Sequence, residues 1–238
     1  WLGNIPTIFG EFGTYFNFNG IDRSIESDYE ISAHVLNSYY EAFESLGVGS
    51  ILWCFSAEND RDYGELWNHE DFSIIDPQGE ARAWAAYVRP YARSLSGKLI
   101  HQRFYSPFHF WDPIEGIAPP ERRFELQMEL KGGDAPTEVF IPRRQYPEGF
   151  YIWLSDGQGY YDEGRQILYW YPHADSVGTQ HRLMVQPALT DREYHGWRYY
   201  YSGPPIDAGD APQEKIGGQW LVGRGDTSTT YAEEIWPW

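Results

Sequence analysis

The sequence predicts an α/β region followed by an all-β region: the last quarter of a (β/α)8 TIM barrel, then a C-terminal antiparallel β-sandwich. Three observations carry this. Up to about Lys98, short apolar runs alternate with stretches of helical periodicity. From about Leu99 the hydrophobic period drops to two. Pro-Gly and Asp-Gly punctuation then separates runs of strand length, the pattern of short strands packed in two sheets.

The first run, Ile5-Pro6-Thr7-Ile8-Phe9, leads into Gly10-Glu11-Phe12-Gly13-Thr14 and carries a single carboxylate, Glu11, at its end. A buried strand does not end on an unpaired acid without cost, whereas the C-terminal tip of a barrel strand is where such an enzyme keeps its chemistry. The plainer reading is a strand–loop junction with Glu11 in water. A polar, aromatic loop is expected over Tyr15–Arg23. Ser27-Asp28-Tyr29-Glu30 then has capping-box spacing. Val35, Leu36, Tyr39, Tyr40, Phe43 and Leu46 recur at helical spacing, and Gly47 supplies the stop, so a helix is predicted over about Asp28–Leu46.

Ser50-Ile51-Leu52-Trp53-Cys54-Phe55 reads as a second strand, its unbroken apolar run fitting a strand covered on both faces. An acidic, aromatic loop follows, with Glu58, Asp60, Glu65, Trp67, Asn68, His69, Glu70 and Asp71. A second helix is predicted over about Glu80–Leu95, kinked or broken at Pro90. Strand–helix–strand–helix order implies parallel neighbours, yet two strands cannot close a barrel of eight. The other strands are expected to come from outside residues 1–98.

In the second region Phe124, Leu126, Met128 and Leu130 alternate with polar residues. Arg103–Trp111, Thr137–Pro142, Phe150–Ser155, Gln166–Tyr171 and Arg182–Pro187 are further strand candidates. Lys131-Gly132-Gly133 and Ser155-Asp156-Gly157 are turn signals, and Asp156-Gly157-Gln158-Gly159 reads as a hairpin turn. The domain boundary is expected near Ser96–Lys98, giving a barrel part over 1–98, a β-sandwich over 99–202 and an extended Gly/Pro/Asp-rich tail over 203–238.

Composition narrows the function classes. A net charge of −17 leaves no dominant basic surface, which excludes nucleic acid as a partner. One cysteine, Cys54, allows neither an internal disulfide nor a multi-cysteine zinc site. The 7 histidines lack ligand spacing, so neither a metal nor another cofactor is expected. No apolar run approaches the roughly 18 residues of a transmembrane segment. The chain opens on Trp1 rather than Met, so its native N-terminus is expected upstream and the sequence carries no information on compartment. With 11 Trp, 19 Tyr and 13 Phe, flat amphipathic rings are abundant enough to serve both a core and a sugar cleft.

Glu11, Trp53 and the loop beyond them together resemble the C-terminal half of a glycoside hydrolase family 5 enzyme, in the endoglycoceramidase and β-glucosylceramidase branch. Gly10-Glu11-Phe12-Gly13 matches the end of that family's seventh barrel strand, and Trp53 in Leu52-Trp53-Cys54-Phe55 matches the tryptophan of the eighth. The most specific likeness is Tyr63-Gly64-Glu65-Leu66-Trp67-Asn68-His69-Glu70-Asp71-Phe72-Ser73-Ile74. Arg89-Pro90-Tyr91, Thr137-Glu138-Val139-Phe140-Ile141-Pro142 and Tyr146-Pro147 also fit. The resemblance covers roughly residues 1 to 190. It implies a retaining β-glycosidase with Glu11 as catalytic nucleophile and Trp53 beneath the sugar. The substrates implied are β-glucosides such as glycolipids. The family's acid/base glutamate lies in an Asn-Glu-Pro segment, absent from this sequence, so the resemblance puts it on an N-terminal part that would complete the barrel as partner.

Retaining glycosidases set two carboxyls about 5–5.5 Å apart, one attacking the anomeric carbon and one protonating the leaving oxygen. Glu58, Asp60, Glu65 and Glu70 sit on a neighbouring loop and suit cleft-wall or supporting roles, or a solvated acidic loop. Trp53 reads as a sugar platform or as core packing. Trp67, Asn68 and Glu70 are candidate substrate-binding residues. Cys54, inside an apolar strand, reads as packing. A second functional class stays open, a non-catalytic carbohydrate-binding or interaction fragment built on the β-sandwich, in which Glu11 is incidental.

Overall fold

The computed structural model describes residues 5–56, 58–60, 64–65, 69–109, 121–147, 149–173 and 177–187, with the backbone of 193–194, 197–198 and 219–223. The chain divides into two compact units, one within residues 1–88 and one within 89–227.

In the first unit, β1 (Ile8–Phe12) and β2 (Gly49–Leu52) pair in parallel, with Ile8 opposite Gly49 and Phe12 opposite Leu52. Parallel strands need a crossover, here α1 (Ile21–Glu26) followed by α2 (Glu30–Leu46). Leu36 and Phe43 of α2 are buried, and the Phe43 ring lies 4.8 Å from that of Phe12 and 4.9 Å from that of Phe9. Gly47 closes the helix in the left-handed region at φ 64°, and the Val48 amide donates back to Phe43 O at 3.1 Å, the hydrogen bonding of a glycine-terminated helix.

Several local expectations are corrected. The loop over Tyr15–Arg23 gives way at Ile21 to α1. The capping box does not form: Asp28 and Tyr29 are both left-handed, α2 starts from Tyr29 without a side-chain cap, and the Ser27 hydroxyl donates to Ser24 O. The helix predicted over Glu80–Leu95 shrinks to one turn, α3 (Trp84–Tyr87). Before it, Asp76 Oδ1 accepts the amides of Gln78 and Glu80 at 2.9 and 2.8 Å and folds that stretch into a turn. After it, Pro90 lacks the amide a helix needs and pushes its predecessor to extended backbone. Tyr91–Ser94 is a strand. The β1–β2 pair is also far from covered on both faces. Ile8 is 69% and Ile51 58% exposed, because among the described residues no third strand joins the pair.

The second unit is antiparallel throughout its described strands. These are β3 (Tyr91–Ser94), β4 (Gly97–Phe104), β5 (Phe124–Leu130), β6 (Thr137–Phe140), β7 (Phe150–Leu154), β8 (Gln158–Asp162), β9 (Ile167–Tyr171) and β10 (Gln180–Pro187), then the short β11 (Glu193–Tyr194), β12 (Trp197–Arg198) and β13 (Gln219–Gly223). One sheet has the order β13-β7-β10-β5-β4 and another β3-β6-β9-β8, while β11 and β12 pair with each other. Burial alternates along β5 without a break, Phe124, Leu126, Met128 and Leu130 facing inward. These side chains meet Phe150, Ile152 and Leu154 of β7 and Leu183 and Val185 of β10 in one buried cluster. Val139 of β6 and Leu168 and Trp170 of β9, from the four-stranded sheet, complete it.

The strand expected over Arg103–Trp111, whose last two residues lie outside those described, ends at Phe104 and begins at Gly97, where a Cβ would lie 2.3 Å from Glu129 O. Only glycine lets the strands approach there. Ser155-Asp156-Gly157 is not a hairpin, because β7 and β8 belong to different sheets. The turn is pinned by Asp156: its carboxylate meets His181 Nδ1 at 2.9 Å and its carbonyl accepts Trp170 Nε1 at 2.8 Å. The unit boundary falls at Val88/Arg89 rather than near Ser96–Lys98, since β3 already pairs with β6. Within the stretch expected as an extended tail, β13 pairs antiparallel with β7, Gln219 opposite Leu154.

Candidate active site

The parallel pair fixes where its two strand ends lie. Pairing runs on past β2, the Trp53 amide donating to Phe12 O at 2.7 Å. Glu11, one residue before that carbonyl, is solvent-exposed, and Trp53 is half-buried. Gly13 makes the approach feasible, since a Cβ there would lie 2.0 Å from Trp53 O and 3.0 Å from the Phe72 ring. The Trp53–Cys54 peptide bond is cis.

From Cys54 the chain enters a loop built around two buried groups, the Glu65 carboxylate and the Arg82–Asp71 pair. Cys54 N donates to Phe72 O and Ile74 N to Cys54 O, at 3.3 and 2.9 Å, so the returning arm lies along the outgoing one. Glu65 is 7% exposed. Its Oε1 accepts the Cys54 thiol at 2.9 Å and the Phe72 amide at 2.8 Å. Burial pushes the Cys54 thiol pKa up to about 12, reinforced by the Glu65 hydrogen bond and charge, so the thiol is a protonated donor and not a nucleophile. Glu65 N in turn donates to Glu70 O at 2.7 Å.

The second group holds Arg82, 2% exposed. Its guanidinium meets Asp71 Oδ1 at 2.6 Å and donates to Ser73 O from Nε at 2.9 Å, while lying 4.3 Å from the Phe16 ring centroid. Phe16 N donates to Asp71 O at 2.7 Å. Through Asp71 and Arg82 the loop after β2 is thus tied to the loop after β1.

Of the sequence-derived candidates, the structure brings the backbones of the Glu11 and Trp53 segments side by side. Glu70 is half-buried on the same loop, with its backbone carbonyl held by Glu65. Trp67 and Asn68 lie outside the described residues. Sequence reasoning missed the roles of Glu65 as the loop's inner anchor and of Arg82 as its clamp. Arg82 lies 11 residues from Asp71 in the sequence, and no local spacing announces the pair.

Comparison with known proteins bears on the chain's kinship. Residues 116–185 match the glycoside hydrolase family 5 C-terminal domain. A glucosylceramidase from Rhizopus delemar is 25% identical over 191 residues, spanning 71% of this chain and 26% of that protein. Among solved structures, Cryptococcus neoformans sterylglucosidase 1 superposes with a TM-score of 0.63 at 19% identity, covering 78% of this chain and 30% of its own. Endo-glycoceramidase II from Rhodococcus sp., as its lactosyl–enzyme intermediate, gives 0.50 at 20% identity over 79% and 34%. Residues 116–185 thus match the family 5 C-terminal domain, and most of the chain is similar to a part of a glucosylceramidase. The chain spans about a quarter to a third of the length of these relatives.

Proposed function

We propose that this chain is the C-terminal portion of a retaining β-glycosidase acting on β-glucosides of the glycolipid type, with Glu11 as nucleophile. In this reading β1 and β2 are the last two strands of a (β/α)8 barrel and the two antiparallel sheets form a β-sandwich that follows it in the sequence. The observation that carries it is Glu11 at the end of one parallel strand, with Trp53 at the end of the next. Strand ends on that face of a barrel are where such folds keep their chemistry. The relatives' names, glucosylceramidase, sterylglucosidase and endo-glycoceramidase, support the substrate class.

Glu11 attacks the anomeric carbon as an acid on the preceding part of the enzyme protonates the glycosidic oxygen. The glycosyl ester so formed is hydrolysed by water, which the same acid, now deprotonated, activates. The description of the endo-glycoceramidase II neighbour as a lactosyl–enzyme intermediate supports a covalent step. Trp53 offers a ring face to the pyranose, and Trp67, Asn68 and Glu70 supply hydroxyl contacts.

The test is Glu11→Gln in protein containing this chain and the residues upstream of it. An isosteric amide cannot form the ester, so kcat on an aryl β-glucoside falls by on the order of 10⁴ or more, with thermal stability unchanged. Retention of most activity overturns the assignment.

A further inference from the structure

The outward face of the five-stranded sheet carries a cavity of about 280 Å³ that the hydrolytic reading does not use. Two adjacent rungs build it. On one, His101 lies opposite Gln127 and Gln127 opposite Arg182; on the next, Glu125 lies opposite Met184 and Met184 opposite Trp153. Met184 and Trp153 are 6% and 8% exposed and make an apolar floor. Glu125 has one oxygen 2.7 Å from Arg123 Nε and the other 4.0 Å from His101 Nε2. Gln127 donates to Gln180 Oε1 at 2.6 Å, leaving its own carbonyl oxygen as an acceptor. The Arg182 guanidinium is exposed and has no ion-pair or hydrogen-bond partner among the described residues.

We infer that this groove binds a sugar unit, as a second saccharide site built from residues other than the proposed catalytic ones. Three planar polar groups, a guanidinium, an amide and a carboxylate, stand at the rim within reach of one ligand. Such groups bind neighbouring hydroxyls two at a time, as donors and acceptors together. The floor offers an indole and a thioether as apolar surface for a sugar ring. A phosphate or carboxylate ligand would meet Arg182, but the Glu125 carboxylate at the same rim and a chain net charge of −17 work against it. A wholly apolar ligand would strand the rim groups without hydrogen bonds. The volume lies just under the roughly 300–1,000 Å³ of drug-sized sites, enough for a sugar ring rather than a long chain. The choice of a β-glucoside rests on the proposed function; the site itself does not.

The experiment is a calorimetric titration of the Glu11→Gln full-length protein with cellobiose, which removes turnover from the readout. Arg182→Ala, Gln127→Ala and Trp53→Ala are compared in that background, with far-UV circular dichroism confirming the fold. The groove predicts a cellobiose site that weakens at least about tenfold with Arg182→Ala, the loss of a charged hydrogen-bonding group. It also weakens with Gln127→Ala and persists with Trp53→Ala. Binding indifferent to Arg182 and Gln127, binding lost only with Trp53→Ala, or no heat up to tens of millimolar overturns the inference. So does displacement of the sugar by inorganic phosphate at lower concentration, the mark of an anion site. Because no turnover is measured, any of these outcomes leaves the assignment of Glu11 standing.

Discussion

A methyl group at position 13 would fall 2.0 Å from the Trp53 carbonyl oxygen, a backbone atom that cannot rotate away. The glycine after Phe12 is therefore what allows the segment carrying Glu11 and the segment carrying Trp53 to lie together. Gly13→Ala should destabilise the first unit by about 1–3 kcal/mol, the usual cost of forcing atoms into a filled space. It should also lower kcat of the complete enzyme by moving Trp53 away from Glu11, whereas Gly10→Ala, with nothing within 4 Å of a Cβ, should be tolerated sterically. Urea unfolding and aryl-glucoside kinetics on the two variants check this, and equal behaviour of both would remove Gly13 from the account. Glu11 stood out in the sequence because a lone carboxylate ending an apolar run is chemically incongruous. Gly13 carried no such mark, because its reason is a neighbour some 40 residues away that only the fold supplies.

The loop after β2 adds a buried ion pair to its backbone hydrogen bonds, and the clamp is Arg82. That guanidinium, with its Asp71 partner, is almost wholly out of water, the side chains 3% and 9% exposed. Removing one partner strands the other, which costs about 3–5 kcal/mol. Arg82→Ala should lose stability of that order in urea unfolding and raise KM for the glucoside more than a surface variant does. A loss within about 0.5 kcal/mol, the range of an ordinary surface change, would contradict the clamp. Elements were legible where a pattern was local. β5 declared itself by strict alternation, and α2 by its aromatic spacing and Gly47 stop. The stretch Glu80–Leu95 misled because Ala83, Trp84, Tyr87 and Val88 keep helical spacing for only one turn. Asp76 and Pro90 set the backbone on either side, and pairing of β3 with β6 then fixes the rest as strand. The capping spacing at Ser27 failed for a similar reason, since α1 directly upstream already uses the Ser27 hydroxyl.

At the scale of the whole molecule, the first unit exposes the apolar surface that a barrel would cover. Ile8 and Ile51, on the two parallel strands, are 69% and 58% exposed, and Ile5 and Phe55, flanking them in sequence, 61% and 52%. Isolated exposed apolar residues are ordinary, but a group along an unpaired sheet edge marks an interface. The proposed partner for that surface is the part of the enzyme that supplies the remaining strands and the acid. The most direct measurement treats the protein containing this chain and its upstream residues with 2-deoxy-2-fluoro-β-D-glucosyl fluoride, then maps the adduct by peptide mass. A retaining enzyme with Glu11 as nucleophile gives one fluoroglucosyl ester, on the peptide containing Glu11. An adduct on another carboxylate, or release of α-configured sugar with no adduct, would contradict the account.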